Sequence, residues 1–103
     1  MGITLKNCGI LQHYYDLGVS ATFTSEDGQV ATGYVKGFWL SAYGRKSEYI
    51  EIGESPNEGG FVISPSRVIR VEPLDLEKVR ESLLEKHSSA DAEKILSTLT
   101  VSF

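Results

Sequence analysis

A chain of 103 residues with 41% apolar content and ten aromatics is long enough for one domain with a core that needs neither disulfides nor metal. Ten basic against fourteen acidic residues give a net charge of −4. That balance argues against a general polyanion binder, because phosphate recognition needs clustered Lys and Arg.

The charge is unevenly spread: residues 1–71 carry six basic and seven acidic side chains, residues 72–103 four and seven. The acidity therefore concentrates in the tail, and a small basic patch can still exist in the first portion. Cys8 is the single cysteine, so an intrachain disulfide is excluded and a reducing, cytoplasmic setting is expected. No apolar run approaches the roughly 20 residues that cross a bilayer, and no signal-peptide apolar region is expected at the start. Met1-Gly2 opens like a myristoylation site, but Lys6 stands where that signal needs Ser or Thr.

In chain order, Ile3 and Leu5 alternate with polar residues and suggest a short strand. Ile10, Leu11, Tyr14, Tyr15 and Leu17 have helical spacing, which predicts a turn or short helix over Leu11–Asp16 stopped by Gly18. Val19, Ala21 and Phe23 alternate with Ser20, Thr22 and Thr24, the pattern of a half-buried strand. Glu26-Asp27-Gly28 then reads as a hairpin turn, since Asp-Gly tolerates the positive φ such turns require. The run from Gln29 to Leu40 is long for a strand, and Gly33 and Gly37 within it imply bending or close backbone approach.

Ser41–Gly44 makes the next turn, and Glu48 to Ile52 a third strand with Tyr49 and Glu51 opposite in face to Ile50 and Ile52. Gly53 to Gly60 is loop, Phe61–Ile63 a fourth short strand, and Ser64-Pro65-Ser66 a tight connection of 3₁₀ type. Val68, Ile69 and Val71 form a fifth strand that Pro73 ends. Asp75 caps a helix with Leu76, Val79, Leu83, Leu84 and His87 on one side, and Ser88 or Ser89 caps a second with Ala92, Ile95, Leu96 and Leu99 as its apolar face. Leu99, Val101 and Phe103 alternate with polar residues, an extended end. The expected fold is mainly β with C-terminal α: a five-stranded SH3-like barrel over 19–72, then two short helices over 74–98, all in a single domain.

The segment DGQVATGYVKGF resembles the first motif of Sm-like proteins, with Gly33, Val35 and Phe38 at the glycine, aliphatic and aromatic places. FVISPSRVIRV is similar to the second motif, a short strand, tight turn and closing strand. RNA-binding members place Asp and Asn soon after the aromatic, where this chain has Trp39-Leu40-Ser41-Ala42-Tyr43-Gly44. They carry Ile-Arg-Gly where this chain has Ile63-Ser64-Pro65. The YYD segment, the DG hairpin and RKSEY are also similar to the Rho-binding antiterminators, small acidic Sm-like proteins that bind the termination factor instead of RNA. The resemblance implies a shared barrel without the base-reading residues.

An Sm-like barrel would bring Tyr43, Arg45 and Lys46 beside Ser64, Ser66 and Arg67. Three cations, an aromatic and two hydroxyls can hold a phosphate, an acidic peptide or a stacked base. The simpler reading makes Arg45 and Lys46 solvated turn residues and Tyr43 a local packing group. In Phe38-Trp39-Leu40, adjacent side chains point to opposite faces, so Phe38 and Trp39 cannot share one core face. Either the C-terminal helices cover the outward one, or it is an exposed aromatic anchor of the kind that dominates interfaces.

Cys8 and His13 lack the orienting group and oxyanion site that a nucleophile pair needs. His87 suits a helix C-terminus. Glu48, Glu51, Glu54 and Glu58 read as solubilising charges, and Gly59-Gly60 lacks the Lys and helix of a phosphate loop. No catalytic set, metal site or cofactor is expected. Two functions stay open: a non-enzymatic small adaptor or regulatory protein that binds another protein through a barrel edge or loop surface, and a nucleic-acid or nucleotide binder using the Tyr43/Arg45/Lys46/Arg67 end. The expected binding residues are Trp39, Tyr43, Arg45, Lys46, Ser66 and Arg67. A homo-oligomer is compatible with either function, because Sm-like barrels often join edge to edge and Leu99–Phe103 can add to a neighbour's sheet.

Overall fold

The computed structural model describes residues 2–4, 6–40, 48–55 and 60–103. Helix α1 (Gly9–Leu17) leads into strands β1 (Ser20–Ser25) and β2 (Val30–Trp39). β3 (Tyr49–Gly53) and β4 (Phe61–Ile63) follow, and a 3₁₀ turn over Pro65–Arg67 joins β4 to β5 (Val68–Pro73). Helices α2 (Leu76–Leu84) and α3 (Ser89–Thr98) and a last strand, β6 (Val101–Ser102), complete the chain.

Local signals set most of these boundaries. Gly18 takes φ 65° at the end of α1, where its N–H donates to the Tyr14 carbonyl and ends the helix. Gly28 takes φ 86° in the β1–β2 turn, as the Asp-Gly pair requires. The Asp75 carboxylate accepts from the Lys78 N–H and Ser88 Oγ from the Asp91 N–H, each satisfying an orphan donor of a first turn.

The strands form one antiparallel sheet in the order β4-β3-β2-β1-β5-β6. This corrects the expected closed, five-stranded barrel in two respects: the sheet is open and it has a sixth strand. The reason lies at β5. Its two sides are taken by β1 and β6, with the Phe103 N–H also donating to the Ile69 carbonyl at 2.8 Å. The margin β4 would need for closure is occupied, and β4 stays at the far edge. The extended C-terminal end expected to reach a neighbour's sheet is instead laid on its own β5. The N-terminal strand expected over Ile3 and Leu5 is also absent at Ile3, which lies buried with its N–H donating to the Pro65 carbonyl at 2.9 Å.

Ala21, Phe23, Val35, Ile50, Ile52, Val68 and Val71 place one face of the sheet in the core. Ile10, Leu11 and Tyr14 of α1 pack into the same cluster, as do Val79 and Leu83 of α2 and Ala92, Leu96 and Leu99 from the α3 end. All three helices thus contribute to the core on that face of the sheet. Leu76 and Leu84 are exposed and His87 lies beyond the helix in water, so α2 buries a narrower stripe than its spacing predicts. Gly33 lets β2 and β3 close up: it has φ 151°, and a Cβ there would sit 2.6 Å from the Gly53 carbonyl oxygen.

One buried polar contact spans the chain. The Tyr14 hydroxyl donates to the Leu99 carbonyl at 2.7 Å, tying α1 to the end of α3. Burial first, and the Glu72 carboxylate second, push the Tyr14 phenol well above its ordinary value of 10.0. Tyr14→Phe leaves the Leu99 carbonyl buried and unpaired and should lower unfolding free energy by about 1–3 kcal/mol in urea titrations. Because the folded state raises this pKa, the neutral phenol's contribution is complete below about pH 10 and is lost as pH rises through the folded value. Wild-type stability should therefore fall at alkaline pH more steeply than that of Tyr14→Phe.

Candidate functional site: the outer face of β2, β3 and β4

The chain positions its surface aromatics through one irregularity in β2. Val35 pairs with Ile52, but the next residue of β3, Glu51, pairs with Gly37. Lys36 has no partner, so it is the extra residue of a β-bulge. Without it, alternation would carry Val35, Gly37 and Trp39 to the core face and leave Phe38 outside. With it, Phe38 falls opposite Ile50, packs against the core, and Leu40 is buried beyond it. Trp39 turns outward opposite Tyr49.

Trp39 is 57% exposed, so the C-terminal helices do not cover it. Its neighbours follow from the ladder. Tyr49 is 39% exposed beside it, Glu51 is next but one along β3, and Glu51 pairs with Val62 of β4, which is 64% exposed. Trp39, Tyr49 and Val62 thus form an apolar surface around the Glu51 carboxylate. Facing the other way from β4 are Phe61 and Ile63, paired with the buried Ile52 and Ile50; Ile63 is half-buried and Phe61 exposed. β4 pairs only with β3 among the described residues, so its other margin is a sheet edge.

The second predicted site is only partly within view. Tyr43, Arg45 and Lys46 lie outside the described residues. Ser66 is exposed, and its hydroxyl lies 3.1 Å from that of Ser64. Arg67 turns to the β1–β2 hairpin, its Nη2 3.1 Å from Asp27 Oδ2 and its Nε 3.6 Å from Glu26 Oε1. The Glu26 N–H donates to the Arg67 carbonyl at 2.8 Å, which fixes the two segments together. Two carboxylates of the chain itself thus engage the cation expected to hold a phosphate, an acidic peptide or a base. Being solvent-exposed, these ion pairs add at most about 1 kcal/mol of stability each. Arg70 is likewise held by Glu72, and Arg80 by Glu77 and Glu93.

Cys8 is half-buried just before α1, and His13 is half-buried within it. No group of three or more His, Cys, Asp or Glu able to hold a metal occurs among the described residues. Among the described residues, cavities of about 240, 210 and 440 Å³ are lined by Tyr15 and Lys36, by Tyr34 and Glu54, and by Asn7 and Phe103; none of these three has Cys8 or His13 in its wall. No described helix is long and apolar enough to cross a membrane.

Sequence reasoning singled out Trp39 but missed Tyr49, Glu51, Val62 and Phe61 as its company. Their grouping depends on cross-strand pairing, for which a single sequence carries little signal. The bulge had one trace, Gly37, read as a place of bending. Comparison with known proteins finds no matching family model, no matching curated protein and no matching solved structure.

The bulge assignment makes a paired mutational prediction. Trp39→Ala should change stability by no more than about 0.5 kcal/mol, as for a surface side chain. Phe38→Ala should cost about 2 kcal/mol or more, toward the range for buried aromatics. Denaturant midpoints of the two variants check this, and the reverse order would mean an unbulged β2.

Proposed function

We propose that this chain is a small, non-enzymatic adaptor or regulatory protein that binds another protein through the outer face of β2, β3 and β4. The observation that carries this reading is Trp39, the one tryptophan of the chain, standing exposed beside Tyr49 on the face that also carries Val62. Fixed aromatics on a rigid sheet lose little conformational entropy on binding and dominate the energetics of many interfaces. The bulge at Lys36 favours function over accident, because a regular strand would have buried this side chain.

The lead-in helix, the bent second strand and the tight turn between β4 and β5 support kinship with Sm-like proteins, as an opened sheet. A cytoplasmic setting belongs to the same reading, supported by the single cysteine. The net charge of −4 and the capture of Arg67 by Glu26 and Asp27 weigh on the side of a protein partner over a nucleic acid.

Pull-downs from lysate at physiological salt, quantified by mass spectrometry, test the proposal with wild type, Trp39→Ala and Val62→Lys. At least one protein retained by wild type should be lost with both variants, each checked by circular dichroism to be folded. With a purified partner, Trp39→Ala should weaken binding by about 30-fold, the effect of losing an interface hot spot. A protein profile identical across the three baits would refute the assignment.

A further inference from the structure

We infer that the open edge of β4 takes an extended segment of the partner protein, in which apolar side chains alternate with Lys or Arg. This rests on the adaptor reading and specifies the chemistry of what is bound. An added strand hydrogen-bonds to the margin of β4 that no strand takes among the described residues, and its side chains then alternate between the two faces of the sheet.

The two faces of that edge differ. Toward the core side, the added strand meets Phe61, 49% exposed, and the half-buried Ile63. Side chains sent there must be apolar to pack against Phe61 and Ile63, since Ile52 and Ile50, their partners on β3, are already fully buried. Toward the outer side, the added strand meets Val62 and, one strand further in, Glu51.

Glu51 lies two strand spacings from the new backbone, about 9–10 Å. A Lys or Arg stem can lie across Val62 and bring its cation to that carboxylate, while an acidic or short side chain cannot. Glu51, like Glu54, Glu81 and Glu85, makes no ion pair among the described residues, and it is the one of these on the face beside Val62. Trp39 and Tyr49 stand on the same face and add aromatic surface for a cation or its stem.

Charge also separates this occupant from a second copy of the chain. Two β4 edges laid together would set Phe61, Val62 and Ile63 against themselves, and β4 itself carries no cation to offer Glu51. Each chain would also bring a net charge of −4 to the contact.

Short random peptides displayed on phage and selected against the full chain test the inference, followed by titration of a synthetic copy of the most enriched peptide. Enriched peptides should alternate apolar with Lys or Arg, and an alanine scan should show losses of affinity at every second position. Glu51→Lys should weaken the peptide about tenfold and remove the preference for basic residues. Val62→Lys should also abolish selection while leaving the circular dichroism spectrum unchanged. Losses spaced three and four residues apart, enrichment without basic residues, indifference to Glu51→Lys, or no enrichment above the Val62→Lys control would each overturn the inference. If these failures occur while Trp39→Ala still loses a lysate protein, the edge chemistry is wrong and the adaptor reading stands. If the peptides behave as expected but no lysate protein depends on Trp39, the adaptor reading falls on its own test.

Discussion

The architecture depends on where one unpaired residue sits. Lys36 interrupts the ladder between β2 and β3 and reverses the facing of everything after it. Before the bulge, Gly33 and Val35 face the core; after it, Phe38 and Leu40 do. Side-chain facing in a strand has a period of two, so a single insertion exchanges inside and outside for the rest of the strand. The same insertion packs Phe38 over Ile50 and exposes Trp39 over Tyr49. Core and surface are thereby specified together, and neither can change without the other.

The two ends of the sheet are treated differently. At one end β5 is covered by β6, a strand of two residues, held further by the Phe103 N–H and by Arg70 near Ser102 Oγ at 3.4 Å. At the other, β4 has three residues and no partner beyond β3 among the described residues. Short edge strands guard against indiscriminate pairing, because few backbone groups are offered. β4 keeps that protection yet carries Phe61 and Val62 in the open. A short but apolar edge suits a partner whose side chains contribute most of the selectivity. The helices do not interfere, since α1, α2 and α3 spend their apolar stripes on the core side.

Features fixed by neighbouring residues were legible in the sequence. The Asp-Gly turn, the stop at Gly18, the cap at Asp75, a cap at Ser88 or Ser89 (the structure uses Ser88), and the 3₁₀ turn at Pro65 each need only a few residues to recognise. Five of the six strands were legible too, because Ile50/Ile52 or Ala21/Phe23 announce a buried face by alternation alone. The closed barrel was not, because closure turns on which strand wins the margin of β5. Val101 reaches it through a contact with Val71, thirty residues earlier in the chain. Of the candidate site, Trp39 was legible as one of two competing aromatics. Tyr49, Glu51 and Val62 were not, since only register brings them together. Arg67 was placed by analogy at an end able to hold a phosphate, an acidic peptide or a stacked base, and its pairing with Asp27, forty residues away, could not be read from local sequence.

The most direct test of the central claim uses the chain's only tryptophan as its own reporter. Fluorescence of the native protein should peak near the wavelength seen in strong denaturant, and acrylamide should quench it almost as efficiently as in the unfolded chain. That result places Trp39 in water on the outer face, as the bulge at Lys36 requires. A blue-shifted native emission shielded from acrylamide would put the indole in the core, and with it would go the bulge, the exposed face and the function argued from them.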